Sequence, residues 1–303
     1  MSVYGVCLLN GGKYLYLFSM KLEVYKDIVS TIHSCWSREC FKAISAKFPR
    51  VTNDVLISIY SQEFQKKIKK NHYKHHQPEI IESYYKRYLE LVNDSSDGSV
   101  ILQIAQEVDL SPCVLARIIL EEYLSNTYCE GESVPKGVLS HMIKDPLLIP
   151  DEKLSQEIQQ CILNDENCGP LVDNIKHSVG LKYENLLEEK LAECKIPFLG
   201  ENDMRSQGYD KTPDFKLQVP IAVDGHVVNW IESKASFGDE SSHKTYLKDQ
   251  FWSYWNRFGP GMVIYWFGFI DELDCYRDKG IVLADRFPSN LITLTSLVWK
   301  DED

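Results

Sequence analysis

Apolar positions recur every third or fourth residue from about Glu23 to Leu163, which predicts helices joined by short loops. Phe41-Lys42-Ala43-Ile44-Ser45-Ala46-Lys47-Phe48 forms one helix and stops at Pro49. Thr52-Asn53-Asp54 starts the next, in which Val55, Leu56, Ile59, Tyr60 and Phe64 keep helical spacing. The layout returns in Ile101 to Val108, a break at Asp109-Leu110-Ser111-Pro112, and Val114 to Leu120. Short helix, tight turn and longer helix make a helix-turn-helix-like unit, a corner that many helical bundles also contain.

The period changes beyond a loop at Asn164 to Pro170. A helix from about Leu171 to Cys194 ends before Pro197, and residues 214–221, 226–233, 261–269 and about 281–284 read as strands. The turn signal Asp224-Gly225 joins the first two as a hairpin. A helix from about Ser242 to Phe258 separates the second strand from the third. The pattern is α/β in its second half and α+β overall. It divides the chain into residues 1–20 without an assigned function, a helical, helix-turn-helix-like domain over 21–165, and a domain with a central mixed sheet over 166–303.

Composition narrows the classes. The net charge is −11, but residues 1–90 carry 14 Lys and Arg against 8 Asp and Glu, and the remainder 19 against 36. A basic N-terminal region for binding and an acidic remainder follow, and the acidic half is a poor surface for a polyanion. The run Tyr14-Leu15-Tyr16-Leu17-Phe18 is too short to span a membrane, and no secretory leader is expected. Nine irregularly spaced cysteines then read as reduced intracellular thiols.

The densest positive stretch is Lys66-Lys67-Ile68-Lys69-Lys70-Asn71-His72-Tyr73-Lys74-His75-His76. Lys66, Lys67, Lys69, Lys70 and Lys74 are candidate phosphate contacts; the bland alternative is a solvated helix C-terminus, where cations are welcome. No cysteine or acid nearby completes a zinc set with the histidines.

Chemistry concentrates further on. Asp214 opens the first hairpin strand and Glu232 and Lys234 close the second, so that folding the hairpin brings the three together. Glu232 and Lys234, two apart on a strand, face the same way. Two carboxylates and a lysine suit a hard, oxygen-ligated cation with the lysine near an attacking water. A salt bridge between Lys234 and Glu232 is the structural alternative.

Pro213-Asp214 followed by Glu232-x-Lys234 resembles the signature of the PD-(D/E)xK nuclease superfamily. Gly208 to Phe215, Trp230 to Asp239 and Asp249 to Gly261 resemble, more narrowly, the TPD-motif family of codanin-interacting nucleases, over about residues 40 to 295. The resemblance implies a restriction-endonuclease-like domain and a metal-dependent phosphodiesterase in the nucleus and cytoplasm. Asp214 and Glu232 would hold Mg2+ or Mn2+ with the Ser233 carbonyl. Glu184 would supply a further acid from the preceding helix, with Glu188 its competitor one turn on. Gln250 and Tyr254 match a Gln-x-x-x-Tyr pattern that sets an amide and a phenol near the substrate backbone. The implied partners are codanin and nucleic acid, DNA ahead of RNA. The alternative function is a nuclease fold that has lost its chemistry and serves to bind codanin.

Overall fold

Leu22–Ser34 (α1), Cys40–Lys47 (α2), Asn53–His75 (α3), Pro78–Val92 (α4), Val100–Glu107 (α5), Pro112–Tyr128 (α6), Lys136–Lys144 (α7), Glu152–Asn164 (α8) and Pro170–Glu193 (α9) follow one another before the first strand. They come from a computed structural model that describes residues 20–35, 40–92, 99–129 and 133–294. The run at Tyr14 to Phe18, and the segment 1–19 that contains it, lie outside the described residues. Among the described residues no helix is long and apolar enough to cross a membrane.

The chain forms two compact units, Ser61–Ser178 and the combination of Met1–Tyr60 with Val179–Asp303. In the first, Ile101, Ile104, Leu115, Ile119, Leu120 and Ile158 are buried together. Ser99 caps α5 by accepting from the Leu102 amide at 3.4 Å, and Asp151 caps α8 by accepting from Leu154 at 2.7 Å. The turn between α5 and α6 passes through Asp109 at φ 54° and has the expected helix-turn-helix order. The start of α6 is covered, however: buried Asp165 accepts from the Cys113 amide at 3.0 Å and from Ser111. Helix α6 buries Leu115, Ala116, Ile118, Ile119, Leu120 and Leu124, and its exposed positions Glu121, Asn126, Thr127 and Tyr128 carry no cation. Most of the apolar side of that helix is thus spent on the core.

The second unit holds the sheet. Phe198–Gly200 (β1) leads into Glu201–Ser206 (α10); Phe215–Val223 (β2) and His226–Lys234 (β3) form the hairpin; Glu240–Tyr246 (α11) runs through a π-turn at Leu247–Phe251 into Trp252–Phe258 (α12). Gly261–Tyr265 (β4), Ile281–Ala284 (β5) and Leu291–Ile292 (β6) complete it. The order is β1-β2-β3-β4-β5, with β6 also on β2. Pairing is antiparallel from β1 to β3 and parallel from β3 to β5, so the fold is α+β with a central mixed sheet. Asp224 and Gly225 both take positive φ, 51° and 81°, as a tight hairpin turn of the primed kind requires.

One sheet face packs Ile231, Met262, Ile264 and Val282 against Leu187 and Leu191 of α9. The other packs Trp230, Val263, Tyr265 and Ile281 against Phe251 and Tyr254. The helix expected from Ser242 to Phe258 is thus present as one continuous helical run with the π-turn inside it, and β4 stops at Tyr265 because the chain turns at Gly268, φ 80°. Grouping in space also differs from the linear division drawn near residue 165. Ile28, Ile32 and Ile44 of α1 and α2 are buried with Phe237 and Ile270, and the Phe237 amide donates to Ser58 Oγ at 2.8 Å.

Gly261 allows the closest approach in the sheet: a Cβ there would lie 2.1 Å from Trp230 Cε2. Trp230 is fully buried and donates its indole N–H to the Gly259 carbonyl at 2.8 Å. Gly261→Ala should therefore cost about 1–3 kcal/mol or more in urea unfolding, from overpacking. Trp230→Ala in the same chain should recover part of that loss, and strictly additive losses would refute the clash.

Candidate functional site

The segment that delivers Asp214 is clamped by α12 and the π-turn. Arg257 pairs with Asp210 at 2.7 Å and donates to the Lys211 carbonyl at 3.0 Å, Lys211 Nζ donates to the Asp249 carbonyl at 3.0 Å, and the Tyr209 and Phe258 rings meet at 5.5 Å. Two stretches distant in sequence, 208–215 and 249–261, are therefore one structure.

Asp214 and Glu232 interlock through the backbone. The Ser233 amide donates to Asp214 Oδ2 at 2.7 Å, the Asp214 amide to Glu232 Oε2 at 3.2 Å, and Lys234 Nζ to Glu232 Oε1 at 2.6 Å. The structure brings Asp214, Glu232 and Lys234 together, and the expected salt bridge is present. Glu232 has both oxygens engaged, whereas Asp214 Oδ1 accepts nothing among the described residues. The Lys234 ammonium also lies 4.7 Å from the centre of the Tyr246 ring, a cation–π contact.

Burial and then the charge of Glu232 push Asp214 well above the usual carboxylate range, against the Ser233 N–H and Lys234, which favour its anion. Burial likewise raises Glu232, although Lys234 opposes it. For Lys234 burial disfavours the ammonium, yet the charge and hydrogen bond of Glu232 outweigh it and hold the pKa up. Two acids share one lysine, and the grouping is short of positive charge.

Glu184 is half-buried on α9, while Glu188 is exposed. Its charge is felt at Asp214, where it adds to the forces that raise that carboxyl. Ser233 faces the α9 side of the sheet, its hydroxyl accepting from Trp266 Nε1 at 2.8 Å, with Tyr183 stacked on Trp266 at 5.1 Å. Among the described residues no three His, Cys, Asp or Glu side chains gather as a ready metal cage, so the acids in direct contact are Asp214 and Glu232.

Tyr254 is buried edge-on to Trp230 at 5.4 Å, and burial followed by the charges of Glu232 and Asp214 raises its phenol. Gln250 sits in the π-turn with a buried Oε1 that has no hydrogen-bond partner. Behind them His243, buried, meets the Tyr265 hydroxyl at 3.0 Å through Nδ1, and its Nε2 has no partner. Tyr246, Trp266 and Glu201, whose charge raises Glu232 and Tyr254, are site residues that reading the sequence missed. The spacing Tyr246, Gln250, Tyr254 repeats every four residues and could have flagged Tyr246.

In the basic run, Lys66 pairs with Glu63 at 2.6 Å and Lys67 with Asp109 at 2.7 Å. Lys69, Lys70 and Lys74 are exposed. His75 is buried on the Tyr84 hydroxyl at 2.8 Å, and the His72 and His76 rings stack at 3.7 Å.

A mixed sheet carrying paired acids and a lysine on adjoining strand ends makes this an α+β domain, and comparison with known proteins narrows the class. Residues 150–287 match the family described as "Protein of unknown function TPD sequence-motif". The chain is 55% identical to CDAN1-interacting nuclease 1 of Xenopus tropicalis over 267 residues, 88% of each chain. It is 53% identical to the Homo sapiens protein of that name over 260 residues (85% of this chain, 91% of the other) and 52% identical to the Danio rerio one over 259 (85% of each). The chain belongs to the CDAN1-interacting nuclease 1 family. No solved structure matches it.

The wall behind the site makes the protein acid-sensitive. Burial lowers His243 from 6.5 to about 4, against the charges of Asp274 and Asp239. The unfolded chain binds a proton there that the folded chain refuses. The associated stability is therefore whole above about pH 6.5 and drains as pH falls towards 4, by roughly 2–3 kcal/mol at pH 4.5. Urea midpoints at pH 7 and 4.5 should differ less in His243→Gln than in the wild type. An equal difference would remove His243 as the cause.

Proposed function

We propose that the chain is a metal-dependent phosphodiesterase of the PD-(D/E)xK kind that cleaves nucleic acid, DNA ahead of RNA, and works in the nucleus and cytoplasm with codanin, the CDAN1 of its relatives' names. The observation that carries this reading is the convergence of Asp214, Glu232 and Lys234, in which two acids face one lysine that bonds to Glu232 alone. The names of relatives more than half identical to the chain support the nuclease and codanin parts.

The donor set fits a hard divalent cation, Mg2+ or Mn2+: it is all oxygen, it is negatively charged, and Asp214 Oδ1 is uncommitted. Asp214 and Glu232, with the Ser233 carbonyl, would hold it, and Glu184 would add charge from α9. A cation bound there would contribute Lewis acidity towards a phosphate oxygen and ease deprotonation of the attacking water. Lys234, released from Glu232, orients that water or offsets charge building on the phosphate. Tyr246 keeps the ammonium in place while its carboxylate partner is otherwise engaged. Gln250 offers an amide oxygen that has no bond inside the protein, and Tyr254 fixes the helix that presents it.

Because Asp214 holds its proton more tightly than an ordinary acid, binding of a cation must displace it, and affinity should rise with pH. Mg2+ or Mn2+ should raise the wild-type melting temperature, and the rise should shrink as the pH is lowered. Asp214→Asn with Glu232→Gln should abolish the rise. Equal shifts in both proteins would rule the metal site out.

Lys234→Ala should lower cleavage of DNA or RNA on the order of 10²–10⁴-fold, the usual loss for a positioned proton-transfer or charge-stabilising group, while the metal-induced thermal shift survives. Unchanged cleavage would reduce Lys234 to a salt-bridge partner. A wild type that binds codanin but cleaves neither nucleic acid with either metal would make the chain a codanin-binding scaffold.

A further inference from the structure

Tyr73 is 79% exposed, the most exposed aromatic ring among the described residues. It lies in the last turn of α3, three and four residues after Lys70 and Lys69 and directly before Lys74. Lys69 and Lys70 therefore share a helix face with Tyr73, and Lys74 lies one turn beyond Lys70 on the adjoining face. Lys66 and Lys67 belong to the same basic run but are neutralised by Glu63 and Asp109. Lys69, Lys70 and Lys74 have no such carboxylate among the described residues. The helix end itself explains the cations, because its carbonyls favour positive charge. It does not explain a large ring standing in water among them.

We propose that this end of α3 binds single-stranded nucleic acid, an unpaired base stacking on Tyr73 while neighbouring phosphates engage Lys69, Lys70 and Lys74. The ring can receive only a base with a free face, which a continuous duplex does not offer. Base–aromatic stacking tolerates any base, so the surface selects strandedness rather than sequence. The ammonium groups supply a salt-dependent attraction that the acidic remainder of the chain lacks. This inference deepens the nucleic-acid reading above and rests on it. It concerns binding alone, and so it stands or falls separately from cleavage.

The test is fluorescence anisotropy on the full chain in EDTA, with labelled oligo-dT and a blunt duplex of equal length. Tyr73→Ala should weaken oligo-dT binding by about 5–150-fold, the equivalent of losing one stacked base, and leave duplex binding nearly unchanged; Tyr73→Phe should retain the wild-type affinity. Changing Lys69, Lys70 and Lys74 to glutamine should weaken both and flatten the salt slope for oligo-dT by about 2 units. All the altered residues are exposed, and unchanged melting temperatures would confirm that the variants fold. The inference is overturned if Tyr73→Ala weakens both ligands equally or neither, if the wild type binds neither, or if polyglutamate competes as well as oligo-dT does. Metal-dependent cleavage with no effect at Tyr73 would remove this surface and leave the nuclease reading intact. A Tyr73 effect without cleavage would do the reverse.

Discussion

Everything at the centre of the sheet domain follows from two carboxylates being held against each other where water is scarce. Asp214 and Glu232 are kept together because both are anchored to backbone amides of the facing strand: Ser233 donates to the Asp214 carboxylate, and the Asp214 amide donates to that of Glu232. Strand pairing sets that geometry, with Phe215 opposite Ile231 in the hairpin and Glu232 beside Val263 on β4. Like charges so fixed can ionise together only if positive charge is brought to them. Lys234 provides one such charge, and the shortfall is why the carboxyl groups hold their protons more tightly than exposed ones would.

The parts of this arrangement governed by neighbours in sequence were readable from the sequence. Alternation and the Asp224-Gly225 turn located the hairpin, and the two-residue period put Glu232 and Lys234 on one side. Nothing local marks β1 or β6, which are three and two residues long and exist only because β2 has an edge to pair. The π-turn within the Ser242–Phe258 helix was equally hidden, since its residues are ordinary helix formers and the turn sets Phe251 against Trp230. The neutralisation of Lys67 by Asp109, 42 residues away, depends on tertiary structure, so the basic run read as denser than it is.

Tyr246 shows the same limit within the site itself. Its position is a helical one like many others, and only the fold places its ring beside Lys234. A cation held against an aromatic face keeps its orientation with little loss of charge, which a purely ionic partner does not allow.

The path of the chain through its two units has a consequence for how the protein is made. Residues 61–178 form a unit whose core is complete as soon as they are synthesised. Helices α1 and α2 emerge earlier, yet Ile28, Ile32 and Ile44 find their full apolar setting only with Phe237 and Ile270, some two hundred residues later. During synthesis α1 and α2 thus leave the ribosome well before Phe237 and Ile270, so their unit, unlike residues 61–178, closes only when the later part of the chain has been made.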